Sequence, residues 1–173
     1  ESNLNRQALS SEHNLSQTKT AAALEKVLTI NSSILIQDHT ETMDMENATR
    51  FLENADIAVD CLDNIHTRFV LEKAAKSAGI PMVSAAVAGF SGQITAIFPE
   101  DKGLELRYGP EKSRSADRGA ETALGNLAFT VSLVASLECT EIVRILLEKK
   151  SDLRNRLLIV DLKEHTFEQI RLV

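Results

Sequence analysis

The stretch ADIAVDCLDN, from Ala55 to Asn64, decides how the chain is read. Ala55 to Asp60 is a short, mainly apolar run that ends in polar groups, the pattern of a buried strand. Asp63 or Asn64 then offers the side-chain oxygen that caps a helix. That helix reaches Ser77 and is stopped by Gly79 and Pro81. Met82 to Val87 is a continuous apolar run, as expected of a strand covered on both faces. Gly89 and Gly92 mark a turn, and Gln93 to Phe98 forms the next strand.

Toward the N-terminus, residues 1–14 are polar and read as a loop. Ser16 caps a helix running to about Ile30, with Ala21, Leu24, Val27 and Leu28 on one face. Ile34 to Gln37 reads as a short strand and Met45 to Asn54 as a second helix. Strands alternating with helices predict an α/β chain with a doubly wound, mostly parallel sheet. Toward the C-terminus, residues 99–120 form a long crossing loop, and loops of this length are commonly functional or mobile. Thr122 to Leu147 reads as one long helix. Its first half, Leu124 to Leu137, is apolar on nearly every side and so belongs in a core or against a partner. Arg156 to Asp161 and Thr166 to Leu172 form an antiparallel C-terminal hairpin around Lys163, Glu164 and His165. Residues 1–173 read as a single domain.

The totals narrow the function classes. A net charge of −6 with no dominant basic run argues against phosphate-held nucleic-acid binding. No apolar run approaches the ~20 residues of a membrane span, and no signal peptide opens the chain. Cys61 and Cys139 lie far apart and form no C-x-x-C pair, which suits reduced thiols in a cytoplasmic protein. One disulfide between them stays open. The polar start at Glu1, without an initiator methionine, suggests a fragment.

Few residues invite chemistry on their own. Lys19 stands in the first turn of its helix, where the helix dipole disfavours a cation; either a bound phosphate shares the position or the lysine is simply solvated. Asp60, Asp63 and Asn64 follow a strand, the place where α/β sheets bind ligands, and a carboxylate there can hold magnesium beside a nucleotide. Helix capping by Asp63 or Asn64 is the plainer reading, and one residue can do both. Arg6, among Asn3, Asn5 and Gln7, offers a fork for a phosphate or an exposed loop side chain. The cysteines read as unreactive, and His13, His39, His66 and His165 show no metal-ligand spacing.

Taken together, these segments resemble the ThiF/MoeB/HesA family of ubiquitin-activating-type adenylyltransferases. The resemblance lies in SNLNRQ (Ser2 to Gln7), Lys19, VDCLDN (Val59 to Asn64) with Thr67 and Arg68, and PMVSAAVAGFSGQ (Pro81 to Gln93). It continues in the late helix LGNLAFTVSLVASLECTEIVRILL and the hairpin RLLIVDLKEHTFEQIRL. It implies a Rossmann-like fold whose first glycine-loop unit, which would grip adenine and ribose, is absent before Glu1. It also implies ATP and Mg as cofactors and adenylation of the C-terminal glycine of a ubiquitin-like sulfur-carrier protein, with release of pyrophosphate. Arg6, Lys19 and Asp63 would be catalytic. Asn3, Arg6, Lys19, Asp63 and Asn64 would line the nucleotide, with Asp63 on magnesium.

The family's other features lead to further expectations. A homodimer through the late helix is implied, with the loop around Arg107 to Arg118 guiding the carrier. Leu104 to Tyr108 reads LELRY where zinc-binding members carry a C-x-x-C, so no zinc site is expected. Residues 99–138 hold no cysteine, so no thiol relay is expected either. The chain alone would then be inactive for want of the glycine loop. Two rivals stand beside this reading: a non-catalytic scaffold or partner subunit of an activating heterodimer, and a nicotinamide-dependent oxidoreductase, which leaves SNLNRQ without a role.

Overall fold

Ala58–Asp60 is a three-residue strand, β1, and it pairs in parallel with β2, Met82–Ala88. Between them runs α3, Ile65–Ala78, capped at its start by Asn64 and closed at its end by Gly79 in the left-handed conformation (φ 71°). This is the strand–helix–strand unit that the central stretch predicts. The computed structural model describes residues 4–111 and 121–173. They fall into two units, residues 1–42 and 43–173.

In the first unit, α1 spans Lys19–Ile30 and is capped by Thr18, whose hydroxyl accepts the Ala21 N–H at 3.2 Å. The cap is thus Thr18 rather than the expected Ser16. Ile34 to Gln37 is not a strand, and Leu35 is almost wholly exposed. No strand among the described residues pairs with this segment, and an extended run without a ladder leaves its backbone groups to water.

The second unit holds the sheet, in the order β1-β2-β3-β4-β5. β3 is Ser91–Ile97, β4 Arg156–Asp161 and β5 Thr166–Arg171. The α/β class and the C-terminal hairpin agree with expectation, but the balance of pairings differs. Among the described strands β1–β2 is parallel, whereas β2–β3, β3–β4 and β4–β5 are antiparallel. The cause is local: β2 and β3 are joined by Gly89 (φ 55°) and Phe90, too short a link for a crossover.

Three helices also depart from expectation. The helix expected over Met45 to Asn54 is reduced to α2, Ala48–Phe51. Asp44 and Asn47 bond to each other's backbone and occupy what would be its first turn. The crossing loop contains one helical turn, α4, at Glu105–Tyr108. Gly103 before it has φ 69°, and a Cβ there would lie 1.7 Å from Glu72 Oε1, so only glycine fits. The expected helix from Thr122 to Leu147 is two: α5, Glu121–Leu124, and α6, Ala128–Glu148. Gly125 breaks it with φ 67°, and the chain steps aside so that the Gly125 carbonyl accepts the Gly89 N–H at 2.8 Å.

Side-chain alternation divides the core between the two sheet faces. Ala58, Met82 and Ile97 face α3 and α4, meeting Phe69, Leu71, Ala75 and Leu104. Val83, Ala85, Ile94 and Ala96 face α6, meeting Val134 and Ile145. Helix α6 is therefore buried along one stripe, Thr130, Val134, Glu138, Glu141 and Ile145, and not on every side. Its opposite face leaves Phe129, Val143 and Leu147 exposed. Among the described residues no helix is long and apolar enough to cross a membrane.

Candidate active site at the end of strand β1

Strand β1 delivers Asp60 to the interior and the following turn delivers Asp63 to the surface. Asp60 is fully buried. Its Oδ2 accepts Arg68 Nη1 at 2.7 Å and Ser84 Oγ at 2.6 Å, and its Oδ1 accepts the Leu62 N–H at 3.0 Å. Arg68, also buried, donates further to the Ala85 carbonyl at 2.5 Å and to the Leu62 carbonyl. Two charges removed from water are tolerated only when paired and hydrogen-bonded in this way. The pair braces the β1–α3 turn against β2. Asp60, one of the carboxylates that could have held a metal, is committed to this brace.

Asn64 Oδ1 accepts the Thr67 N–H at 3.0 Å, so Asn64 is the helix cap. Asp63 is thereby released from capping: its carboxylate is exposed and makes no hydrogen bond or ion pair among the described residues. Among the described residues no group of three or more His, Cys, Asp or Glu side chains could enclose a metal ion. A lone exposed carboxylate still fits magnesium, which keeps several waters and takes one or two carboxylates beside substrate phosphates.

In the first unit, Arg6 lies in the opening turns and donates from Nη1 to Asn5 Oδ1 at 3.1 Å. Lys19 is the first residue of α1, exposed, with no acidic residue in that turn. Asn3 lies outside the described residues, as do Arg114 and Arg118 of the crossing loop.

The structure adds two charged groups around the Asp60–Arg68 pair that sequence reasoning passed over. Glu138, on α6, is 6% exposed, and its Oε1 is buried without a hydrogen-bond partner among the described residues. Burial, and then the negative charge of Asp60, push its carboxyl up to about 7, against the opposing pull of Arg68. Arg107, on α4, buries Nε and Nη1 without hydrogen-bond partners among the described residues. A signal for Glu138 was available: it falls on the stripe of Val134 and Ile145 that turns inward. Cys61 retains exposed surface, yet desolvation and the nearby Glu138 and Asp60 carboxylates push its thiol up to about 11, so it carries little thiolate.

Glu138 gives a pH-dependent prediction. Its proton is held more tightly in the folded chain than at the ordinary 4.5, so its contribution is fully present below about 4.5 and lost as pH rises through about 7. The loss is on the order of 3 kcal/mol. Glu138→Gln, which imitates the protonated form, is expected to raise the urea midpoint at pH 8 and to change it little at pH 4. Equal midpoint shifts at both pH values would place the ionisation elsewhere.

Comparison with known proteins agrees with this architecture. The ThiF family matches residues 1–173. The chain is 29% identical over 171 residues to the SAMP-activating enzyme E1 of Haloferax volcanii, covering 98% of this chain and 62% of that one. It is 27% identical over 172 residues to adenylyltransferase and sulfurtransferase MOCS3 of Xenopus laevis, covering 99% and 38%. To the MOCS3 of Dictyostelium discoideum it is 30% identical over 183 residues, covering 99% and 40%. The chain thus spans less than two thirds of the length of these relatives. Two solved structures share the fold at low identity: PaaA (TM-score 0.77, 13% identical, 99% of this chain and 61% of that one) and E. coli MccB with ATP (TM-score 0.77, 19%, 98% and 53%).

Proposed function

We propose that this chain, which belongs to the ThiF family, takes part in ATP-dependent adenylation of the C-terminal glycine carboxylate of a ubiquitin-like sulfur-carrier protein. The observation that carries the reading is Asp63: an exposed carboxylate, relieved of capping by Asn64 and seated on the buried Asp60–Arg68 brace beyond a strand's carboxyl end. The names of the relatives, an E1 activating enzyme and adenylyltransferases, support it.

In the step itself, a carrier carboxylate oxygen adds its lone pair to the α-phosphorus of ATP. The bond from that phosphorus to the bridging oxygen breaks, and its electron pair leaves with pyrophosphate. No protein nucleophile is needed, so the protein's part is to align the reactants and offset phosphate charge. Arg6 and Lys19 contact the phosphates, with Asn3 beside them. Asp63 holds magnesium or positions the triphosphate, and Asn64 lines the nucleotide while it caps α3. Magnesium, when bound, offsets phosphate charge as the leaving group departs. The high thiol value of Cys61 suits a chain that adenylates and leaves any sulfur step to another protein.

Pyrophosphate exchange into ATP, measured on the complete protein with a panel of sulfur-carrier proteins, tests this. Carrier-dependent exchange is expected. Neither ATP binding nor exchange with any carrier would instead favour a non-catalytic partner subunit. Two copies are proposed to pair along the exposed face of α6, where Phe129 lies 5.6 Å from Phe90 between ring centroids. Sedimentation showing a single copy at micromolar concentration would remove that element.

A further inference from the structure

Arg107 is a charged side chain in an unfavourable setting. Its Nε and Nη1 are buried and make no hydrogen bond among the described residues. Unfilled donors out of water cost about 1–3 kcal/mol each, more when the group is charged, and native structures keep few of them. The guanidinium lies over the Tyr108 ring, 4.6 Å from its centroid, and that ring tilts against Phe69 of α3. A cation over a ring recovers part of the cost and leaves the two N–H groups unfilled. Desolvation lowers the Arg107 pKa, and the charge of Arg68 lowers it further.

The carboxylate that acts on Arg107 does not resolve this. Asp60 acts on Arg107 electrostatically, but both of its oxygens are already engaged, by Arg68, Ser84 and the Leu62 N–H. Two guanidiniums therefore share one carboxylate. The second, Arg107, sits on a four-residue helix bounded by Gly103 and Gly109, both at positive φ. This is beside the end of β1, where the proposed chemistry occurs.

We infer that Arg107 is the docking group for the carrier's C-terminal carboxylate, which accepts a hydrogen bond from one of the two unfilled donors. The inference rests on the adenylation reading and names the group that holds the second substrate. A single carboxylate suits the place better than a triphosphate, because the buried Asp60 carboxylate, which acts on Arg107, would repel a multiply charged anion more strongly. It also suits the reaction: as the carboxylate becomes an acyl adenylate it loses its charge, and the contact with Arg107 weakens as product forms.

The test uses the complete protein, a sulfur-carrier protein with a free C-terminal carboxylate, and the same carrier ending in an amide. Wild type is expected to bind the acid form at least tenfold more tightly than the amide. Arg107→Met should lose that discrimination and raise the KM for the carrier at least tenfold. The KM for ATP and the urea midpoint should stay where they are, since Met replaces an unfilled buried charge with apolar volume. If Arg107→Met does not fold, Arg107→Lys is read by the same acid-against-amide ratio, which should fall. Retained discrimination in a folded variant overturns the inference while leaving adenylation standing. So does a raised KM for ATP alone, which would assign Arg107 to the phosphates. Absence of exchange in wild type with any carrier defeats the adenylation reading and this inference together.

Discussion

Arg68→Met is expected to destabilise the second unit by about 3–5 kcal/mol, because it strands Asp60 as an uncompensated buried charge. Asp60 has no exposed surface, and Arg68 is the cation that bonds to it, at 2.7 Å, among the described residues. The loss extends past the ion pair, since the same guanidinium also fills the carbonyls of Leu62 and Ala85, which would otherwise be left without that donor. With a urea m-value of about 1–3 kcal/mol/M, the midpoint should move by at least ~1 M. The double variant Asp60→Ala with Arg68→Met should be far less destabilised than the two single losses add to, because removing both charges leaves nothing stranded. Additive losses would mean that each side chain acts through packing alone. A shift under about 1 kcal/mol for Arg68→Met would mean that the brace does not carry the β1–α3 turn.

Lys19→Ala is expected to do the reverse. Lys19 is exposed and opens α1. A cation there opposes the helix dipole by a few tenths of a kcal/mol, and alanine is the better helix former. Stability should therefore hold within about 0.5 kcal/mol or rise slightly. Carrier-dependent pyrophosphate exchange should nonetheless fall about 10²–10³-fold, the usual scale for removing one group that offsets developing charge. A gain or no change in stability joined to a loss of exchange separates a phosphate-binding lysine from a solvated one. Unchanged exchange would return Lys19 to the surface role that its position alone suggests.

Much of the architecture was legible because it depends on neighbours in sequence. The run Met82 to Val87 is apolar at every position and became β2, buried over most of its length. Gly79 and Pro81 end α3 through their own backbone limits, whatever surrounds them. The hairpin of β4 and β5 follows from two strand runs and a short polar turn, where Asp161 Oδ1 accepts the N–H groups of Lys163 and Glu164. Asp63 and Asn64 were legible as the two candidates for the cap of α3. Which of them caps was not, since either offers a suitable oxygen.

The rest was hidden because it depends on what lies across the fold. Thr122 to Leu147 has helical periodicity throughout, and Gly125 alone did not announce a break; the break arises where its carbonyl meets Gly89, 36 residues earlier in the chain. Ile34 to Gln37 has strand-like residues and no partner strand among the described ones, and a ladder cannot be formed by one segment.

By itself, then, the sequence determined the strand–helix–strand unit around β1, the C-terminal hairpin and the family resemblance, and it named the candidate residues from Asn3 to Asn64. Those properties reside in side-chain type and spacing along the chain. Only the tertiary structure decided how the two carboxylates after β1 divide, with Asp60 inside on Arg68 and Asp63 outside in water. It alone also left polar atoms of Glu138 and Arg107 buried and unfilled among the described residues. The physical reason is that the cost of a charge is set by what surrounds it, and for these residues the surroundings come from β2, α3 and α6, which only folding brings together.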